Sequence, residues 1–442
     1  MAQRGFQRRP SLLTLLLLGV AAVGCSKPLP RPNIVILDLD TLRADHLGSY
    51  GYSRDTTPHI DALARRGSLF KRNYAQAGWT GPSQTSILTS MYVTVHQVKQ
   101  QGQVLDPRVP LLAEVLQNDG YATAAFSQLM GDSFRRGFDE YVWRDGEWLT
   151  GPLDPDLEPT LEQMQDWVAA QTRPFFLFLH TYQVHFPYAP PDEYRRRFLP
   201  DYEGPLRDLN ITREVLAEKA SGRRVPSDGA DLDYIVAMYD AELAQLDDAI
   251  GRFLASLDML GLSDNTLVVV VSDHGDEFGE RGWVGRHGTL YNEVLHTPLI
   301  VAGPNVPVGR VFDQPVRNID VAPTLLSLAG VEIPESWQGA SLESIWSGRE
   351  QEVREVLAEQ GDNAILLGDR FKIFSNGHLI DLQQDPGERV NATPEMPVRG
   401  RRLHSRLTTI QEALRQQSGH VAGPVKLTDA EIRQLRALGY VQ

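Results

Sequence analysis

The stretch NTLVVVVSDHGDE, residues 265–277, holds five apolar residues in a row, Leu267 to Val271, and then turns to serine, acids and histidine. A β-branched run with no polar alternation is buried on both faces, the mark of a strand inside an α/β sheet. Its polar end then lies at the strand's C-terminal edge, where open α/β sheets bind ligands. Two other stretches have the same shape. NIVILDLD (33–40) ends in Asp38 and Asp40, and PFFLFLH (174–180) ends in His180, with His185 following. YATAAF (121–126) and TPLIVAG (297–303) read as further strands.

Helical patterns separate these runs. TPHIDALARRG (57–67) has Thr57 as a cap, Pro58 in the first turn and Gly67 as the stop. PSQTSILTSMY (82–92), RVPLLAEVLQNDG (108–120), the long stretch 232–261 and IDVAPTLLSLAG (319–330) carry the same signals. Alternating strands and helices predict an α/β domain, residues 26–344, with a largely parallel sheet covered on both sides. AILLGDRFKIFSNGHLIDLQQDP (364–386) reads instead as short antiparallel strands, giving a smaller subdomain over 345–442 that ends in the amphipathic stretch 427–442. Residues 181–225 lack periodicity and read as an excursion above the sheet.

The chain has 442 residues, 42% of them hydrophobic and 23% charged, with a formal net charge of -14. That acidity excludes a protein built to grip nucleic acid. Arg4, Arg8 and Arg9 precede the apolar run 12–24, which stops at Cys25, the only cysteine. Residues 1–25 therefore read as an export signal, too short for a membrane span. AVGCS (22–26) resembles a bacterial lipobox, so lipidation at Cys25 would anchor the exported protein in the periplasm or at the outer membrane.

The strand ends carry the chemistry. Asp40, Asp273 and His274 would offer two carboxylates and an imidazole to one divalent cation. GWTGPSQTS (78–86) adds hydroxyls near a helix N-terminus, a setting that favours an anion such as phosphate or sulfate. On these grounds either Thr80 or Ser83 could attack a tetrahedral centre.

At this point the chain resembles the sulfatase family, within the alkaline phosphatase-like superfamily. The resemblance covers residues 31–391 and rests on motifs in the family's order: residues 31–52, 79–98, 174–191, 239–282, 287–303, 319–330 and 379–391. It implies a large mixed β-sheet flanked by helices, a smaller C-terminal α+β subdomain, and one divalent metal ion. Asp40, Asp273 and His274 match metal positions, His185 a substrate-contacting histidine, and His96 a histidine that supports the nucleophile. His287 stands where an active-site lysine precedes the tyrosine, here Tyr291. Thr80 matches the nucleophile and would share in metal binding, and Gln84 replaces the arginine of the family's nucleophile motif. Thr41 stands where a second metal aspartate is usual, and Arg281 where histidine is common.

A sulfatase converts a cysteine or serine at the nucleophile position to formylglycine. Threonine supplies no such aldehyde, so formylglycine is not expected at Thr80. The match is nearer to threonine-nucleophile phosphodiesterases and to phosphoglycerol and phosphoethanolamine transferases. The expectation is thus a metal-dependent hydrolase or transferase of phosphate esters or diesters, working through a phosphothreonine, with Mn or Zn favoured and Ca or Mg possible. The partner would be a small-molecule, glycan or lipid-headgroup ester. The alternatives are a sulfuric ester hydrolase, and a non-catalytic lipoprotein that keeps the fold and binds an anionic glycan or headgroup.

Overall fold

The computed structural model describes Met1, Ala2 and residues 31–100, 102–127, 132–143, 157–186, 188–198, 202–204, 206, 229–286, 288–350 and 352–425. Residues 3–30, which hold Cys25 and most of the stretch read as an export signal, the stretch 427–442, His287 and most of the excursion over 181–225 lie outside the described residues.

Eight strands form the main sheet: β1 (Asn33–Leu39), β2 (Ser68–Phe70), β3 (Ala122–Ser127), β4 (Glu140–Trp143), β5 (Phe175–Thr181), β6 (Thr266–Val271), β7 (Leu299–Ala302) and β8 (Arg310–Phe312). Their order across the sheet is β8-β2-β7-β6-β1-β5-β3-β4. β1 pairs in parallel with both β5 and β6, so the three runs that end in metal-competent residues are the three central strands. β7 runs antiparallel to both of its neighbours, β6 and β2. The sheet is mixed for that one reason, and an apolar tetrapeptide carries no signal for its own direction.

The unbroken apolar runs are explained by burial on two sides. Ile34 and Ile36 of β1 join Phe176, Phe178, Val269 and Val271 in one core layer. Val35, Leu37 and Leu39 join Leu177, Leu179, Val268 and Val270 in the other. The first layer is covered by α2 (Thr80–Thr89), α3 (Leu112–Asn118) and α6 (Val321–Ala329); the second by α1 (Pro58–Arg66), α4 (Glu158–Ala169) and α5 (Ala230–Met259). Each fully buried Val, Leu or Ile contributes about 1.5–3 kcal/mol, so exposing either face of these strands would be costly.

Thr57 holds the position before α1 as expected, but its side chain does not cap the helix. Asp247 of α5 does so instead, accepting the His59 and Ile60 amides at 2.8 Å each. Within the excursion after β5 the described residues include a short helix, Asp192–Phe198, which the charged sequence does not announce.

Residues 364–386 form antiparallel strands as read. β10 (Asn363–Leu367), β11 (Phe371–Phe374) and β12 (Leu379–Asp381) follow β9 (Val356–Gln360) in a separate four-stranded sheet. One face of it packs on Tyr74, Leu290 and Leu295 of the main body. The other is covered by α7 (Pro397–Gln417), whose Leu407 and Leu414 belong to the same core layer as Ile34.

A buried metal-competent cluster beside a threonine

The parallel register sets Asp38 beside His180 of β5 and Val271 of β6. One step further, the Asp40 amide donates to the Thr181 carbonyl at 3.1 Å. Asp40, Asp273 and His274 are fully buried, and one ligand atom from each lies within 4.8 Å of the others. Asp40 Oδ1, Asp273 Oδ2 and Asp38 Oδ1 are buried oxygens with no hydrogen-bond partner among the described residues. His274 Nδ1 lies 2.9 Å from the Gly275 carbonyl, a contact that assigns its proton to Nδ1, and Nε2 faces the cluster, 3.5 Å from Asp273 Oδ2. Burial, and then the charge of Asp273, hold the Asp38 and Asp40 carboxyls well above the usual carboxylate range.

Buried acceptors that converge in this way are costly unless a cation joins them. Two carboxylate oxygens and an imidazole nitrogen form a donor set suited to a divalent ion. The residues present therefore fit the metal that the fold implies. Ser272 stiffens the group: its hydroxyl donates to the His274 carbonyl at 2.7 Å and accepts the Leu42 amide at 3.0 Å.

α2 begins at Thr80, two residues before the proline that signals it, and all ten of its residues are buried. The Thr80 hydroxyl donates to Asp40 Oδ2 at 3.2 Å and lies 3.2 Å from His274 Nε2. Ser83 faces the backbone, donating to the Asp273 carbonyl at 2.6 Å. Thr85 donates to the Gly81 carbonyl, and Ser86 lies 3.1 Å from His96 Nε2. The four hydroxyls of GWTGPSQTS thus have four environments, and Thr80 is the one beside the carboxylate–imidazole group. Gln84 donates its amide to Asp38 Oδ2 at 3.2 Å. Gln84 is a neutral donor and brings no positive charge to Asp38.

His96 does not reach the threonine. Its Nδ1 accepts the Val98 amide at 3.1 Å while Nε2 meets Ser86, and burial pushes its pKa down to about 3. It is a neutral brace under α2. His185 is buried, with Nδ1 at 2.6 Å from the Phe186 carbonyl, and the Tyr182 ring makes edge contacts with both it and His180. His287 is not described. Its neighbour Gly288 donates its amide to the Gly78 carbonyl at 2.6 Å, and a Cβ on Gly288 would meet Trp79 Nε1 at 2.0 Å. Tyr291 lies under the Arg281 guanidinium, 3.7 Å from its centroid, and Arg281 also bonds Glu293 and the Gly387 and Glu388 carbonyls. Arg281 thus ties the residues after His287 to the segment that follows the C-terminal sheet.

Thr41 contributes no ligand to the cluster. Its hydroxyl donates to the Val184 carbonyl at 3.0 Å, and its backbone is left-handed, with φ at 54°. For a β-branched residue that conformation costs about 1–3 kcal/mol and is kept only where neighbours enforce it. Here Tyr239 of α5 does so, its hydroxyl donating to the Thr41 carbonyl at 3.1 Å and accepting the Arg43 amide at 3.0 Å. Sequence reasoning passed over Tyr239. It also left His180 out of the metal set, yet His180 Nε2 lies 3.1 Å from Asp40 Oδ2. The signal for His180 was its place at a strand end; the register that makes it matter is not legible in one sequence.

A family profile described as Sulfatase matches residues 32–331. An arylsulfatase of Clostridium perfringens is 25% identical, over 89% of this chain and 96% of its own length. A multifunctional alkaline phosphatase superfamily protein, PehA of Trinickia caryophylli, is 26% identical over 76% of this chain and 83% of its own. Sulfatase names predominate among the similar curated proteins. Among solved structures, a phosphonate monoester hydrolase of Agrobacterium radiobacter superposes with a TM-score of 0.73 at 22% identity, over 88% of this chain and 96% of that one.

Proposed function

This chain belongs to the sulfatase family of the alkaline phosphatase-like superfamily, and from that premise we propose that it cleaves phosphate esters or diesters with Thr80 as nucleophile. One observation carries the reading: the Thr80 hydroxyl stands 3.2 Å from both Asp40 Oδ2 and His274 Nε2, beside carboxylate oxygens that lack donors among the described residues.

A divalent cation held by Asp40, Asp273 and His274 would supply Lewis-acid charge to the substrate and ease loss of a nearby hydroxyl proton. The chain's own groups then divide the work. Thr80 already directs its proton at Asp40, so the carboxylate can take it as Oγ1 attacks phosphorus. The bond from phosphorus to the leaving alcohol breaks, and His185 or His287 returns a proton to that oxygen. Water or an acceptor alcohol next attacks the phosphothreonine at phosphorus and frees Thr80. The amides at the start of α2 would donate to charge building on the non-bridging oxygens.

A threonine ester is released only by attack at the transferred group, whereas a formylglycine hemiacetal can expel sulfate from its own carbon. That difference favours phosphoryl over sulfuryl transfer. The predominance of sulfatase names among relatives supports the second reading, sulfate ester hydrolysis at the same centre. Export and lipidation at Cys25 complete the proposal, with an ester of a glycan or lipid headgroup met at a membrane surface as the substrate class.

The test is a parallel screen of aryl phosphodiester, phosphomonoester, phosphonate monoester and sulfate ester with Mn, Zn, Mg and Ca. Wild type should prefer a phosphorus ester, and Thr80→Ala should lose at least about a thousandfold in kcat/KM. Turnover of sulfate alone would establish the second reading instead. Equal activity in the Thr80→Ala protein would remove Thr80 from its role.

A further inference from the structure

The C-terminal sheet and α7 enclose a groove of about 1160 Å3, remote in construction from the threonine centre. On β11 the side chains alternate. Lys372 points to the main body, where it meets Glu388 and Asn292, while Phe371 and Ile373 turn to the α7 side. The groove lies on that second face, lined among others by Arg370, Phe371, Arg399, Arg402 and Arg406.

Its charges are uneven in a telling way. The chain as a whole carries -14, yet α7 bears Arg399, Arg401, Arg402, Arg406 and Arg415 against the single acid Glu412. Two lining arginines are committed, Arg370 to Asp381 and Arg406 to Glu355, and the lining Asp369 is held by Arg72. Arg399 and Arg402 have no carboxylate partner among the described residues, and Glu395 is the one lining acid left to oppose them. The Phe371 ring holds guanidiniums in place, with Arg399 at 4.2 Å and Arg370 at 4.9 Å from its centroid. Arg399 and Arg402 are one helical turn apart, about 4.5 Å along the axis. Planar donors at that spacing suit successive sulfate or phosphate groups.

We infer that this groove is a second binding site, for a linear glycan carrying sulfate or phosphate esters. A concave slot between helix and sheet, with an aromatic floor, fits a chain better than a flat lipid surface. The inference stands on the groove alone and is independent of turnover at Thr80.

The test is titration calorimetry with a size-defined heparin oligosaccharide, using uncharged dextran as the blank and phosphatidylglycerol vesicles as a second probe. The Thr80→Ala protein serves as background so that no chain is cleaved. Adding Arg399→Ala and Arg402→Ala should weaken oligosaccharide binding at least about tenfold with unchanged melting temperature. Arg415→Ala, which lies outside the groove lining, should leave it within about twofold. Should the double variant unfold, Arg399→Lys with Arg402→Lys keeps the charge, loses the planar fork, and should still bind measurably more weakly. Unchanged binding in either pair of substitutions would overturn the site. An equal loss in Arg415→Ala would reduce it to unspecific surface charge, and arginine-dependent binding to vesicles alone would overturn the glycan assignment.

Discussion

Replacing Tyr239 by Phe removes one oxygen and should disturb both the fold and the cluster. That hydroxyl is fully buried, donates to the Thr41 carbonyl at 3.1 Å and accepts the Arg43 amide at 3.0 Å. Each backbone group left buried without a partner costs about 1–3 kcal/mol, so the gross loss is about 4 kcal/mol. Thr41 can then leave its left-handed conformation, which returns about 2 kcal/mol. A net destabilisation of about 2 kcal/mol follows, measurable as a shift of the urea midpoint at constant m. The turn so released begins one residue after Asp40, and outer-shell losses of this kind lower metal affinity about 10–100-fold. Metal affinity should therefore fall together with stability when Mn or Zn is titrated into the folded variant. A variant with wild-type stability would refute the strain argument. Lost stability with unaltered metal affinity would refute the claim that Tyr239 reaches the cluster through the turn.

Three further outcomes are expected. Chelator added to metal-loaded protein should lower its melting temperature, because an ion at a thousand times its Kd contributes about 4 kcal/mol and screens the buried Asp38, Asp40 and Asp273 from one another; Asp273→Ala should be insensitive to chelator. His96 is neutral in the fold with its pKa lowered from 6.5 to about 3, so the unfolded chain takes up a proton that the native state refuses, and stability falls as pH drops below 6.5. His96→Gln should remove up to about 1.4 kcal/mol per pH unit of that slope, read from urea midpoints at pH 7 and pH 5. Lys372 and Glu388 are both fully buried and 2.7 Å apart, so Lys372→Met should cost about 3–5 kcal/mol by stranding the carboxylate, and Lys372→Met with Glu388→Gln should recover much of it.

The central strands were legible because burial on two faces leaves an unbroken apolar signal, and Asp40, Asp273 and His274 because each follows such a run directly. What one sequence does not carry is register and direction. His180 matters only because β5 lies beside β1 in a pairing that brings its ring to Asp40. The reversal of β7 is likewise invisible in LIVA. α7 was missed because its arginines overwhelm the sparse apolar stripe of Leu407 and Leu414, and no part of the sequence says that the C-terminal sheet needs a cover there. The placing of His96 depends on packing in the same way. It does brace α2, but six residues along from Thr80, at Ser86. The substitutions Thr41 and Gln84 were read as losses of charge, and each has a definite partner, Val184 and Asp38.

The complete burial of α2 has a consequence for how such a protein can change over evolutionary time. Thr80 sits on a sheet-covering helix whose ten residues are all buried, with Ser83 pinned to Asp273 and Trp79 packed against Gly288. The proposed attacking position therefore cannot drift to suit a new substrate without dismantling the core. Which bond is broken can be altered by exchanging one side chain in a fixed frame, whereas which molecule is admitted must be altered in the connections above the strand ends. Two properties often acquired together are here open to separate mutation. A lineage could keep its cargo while trading one leaving group for another, or keep its chemistry while moving to new polymers.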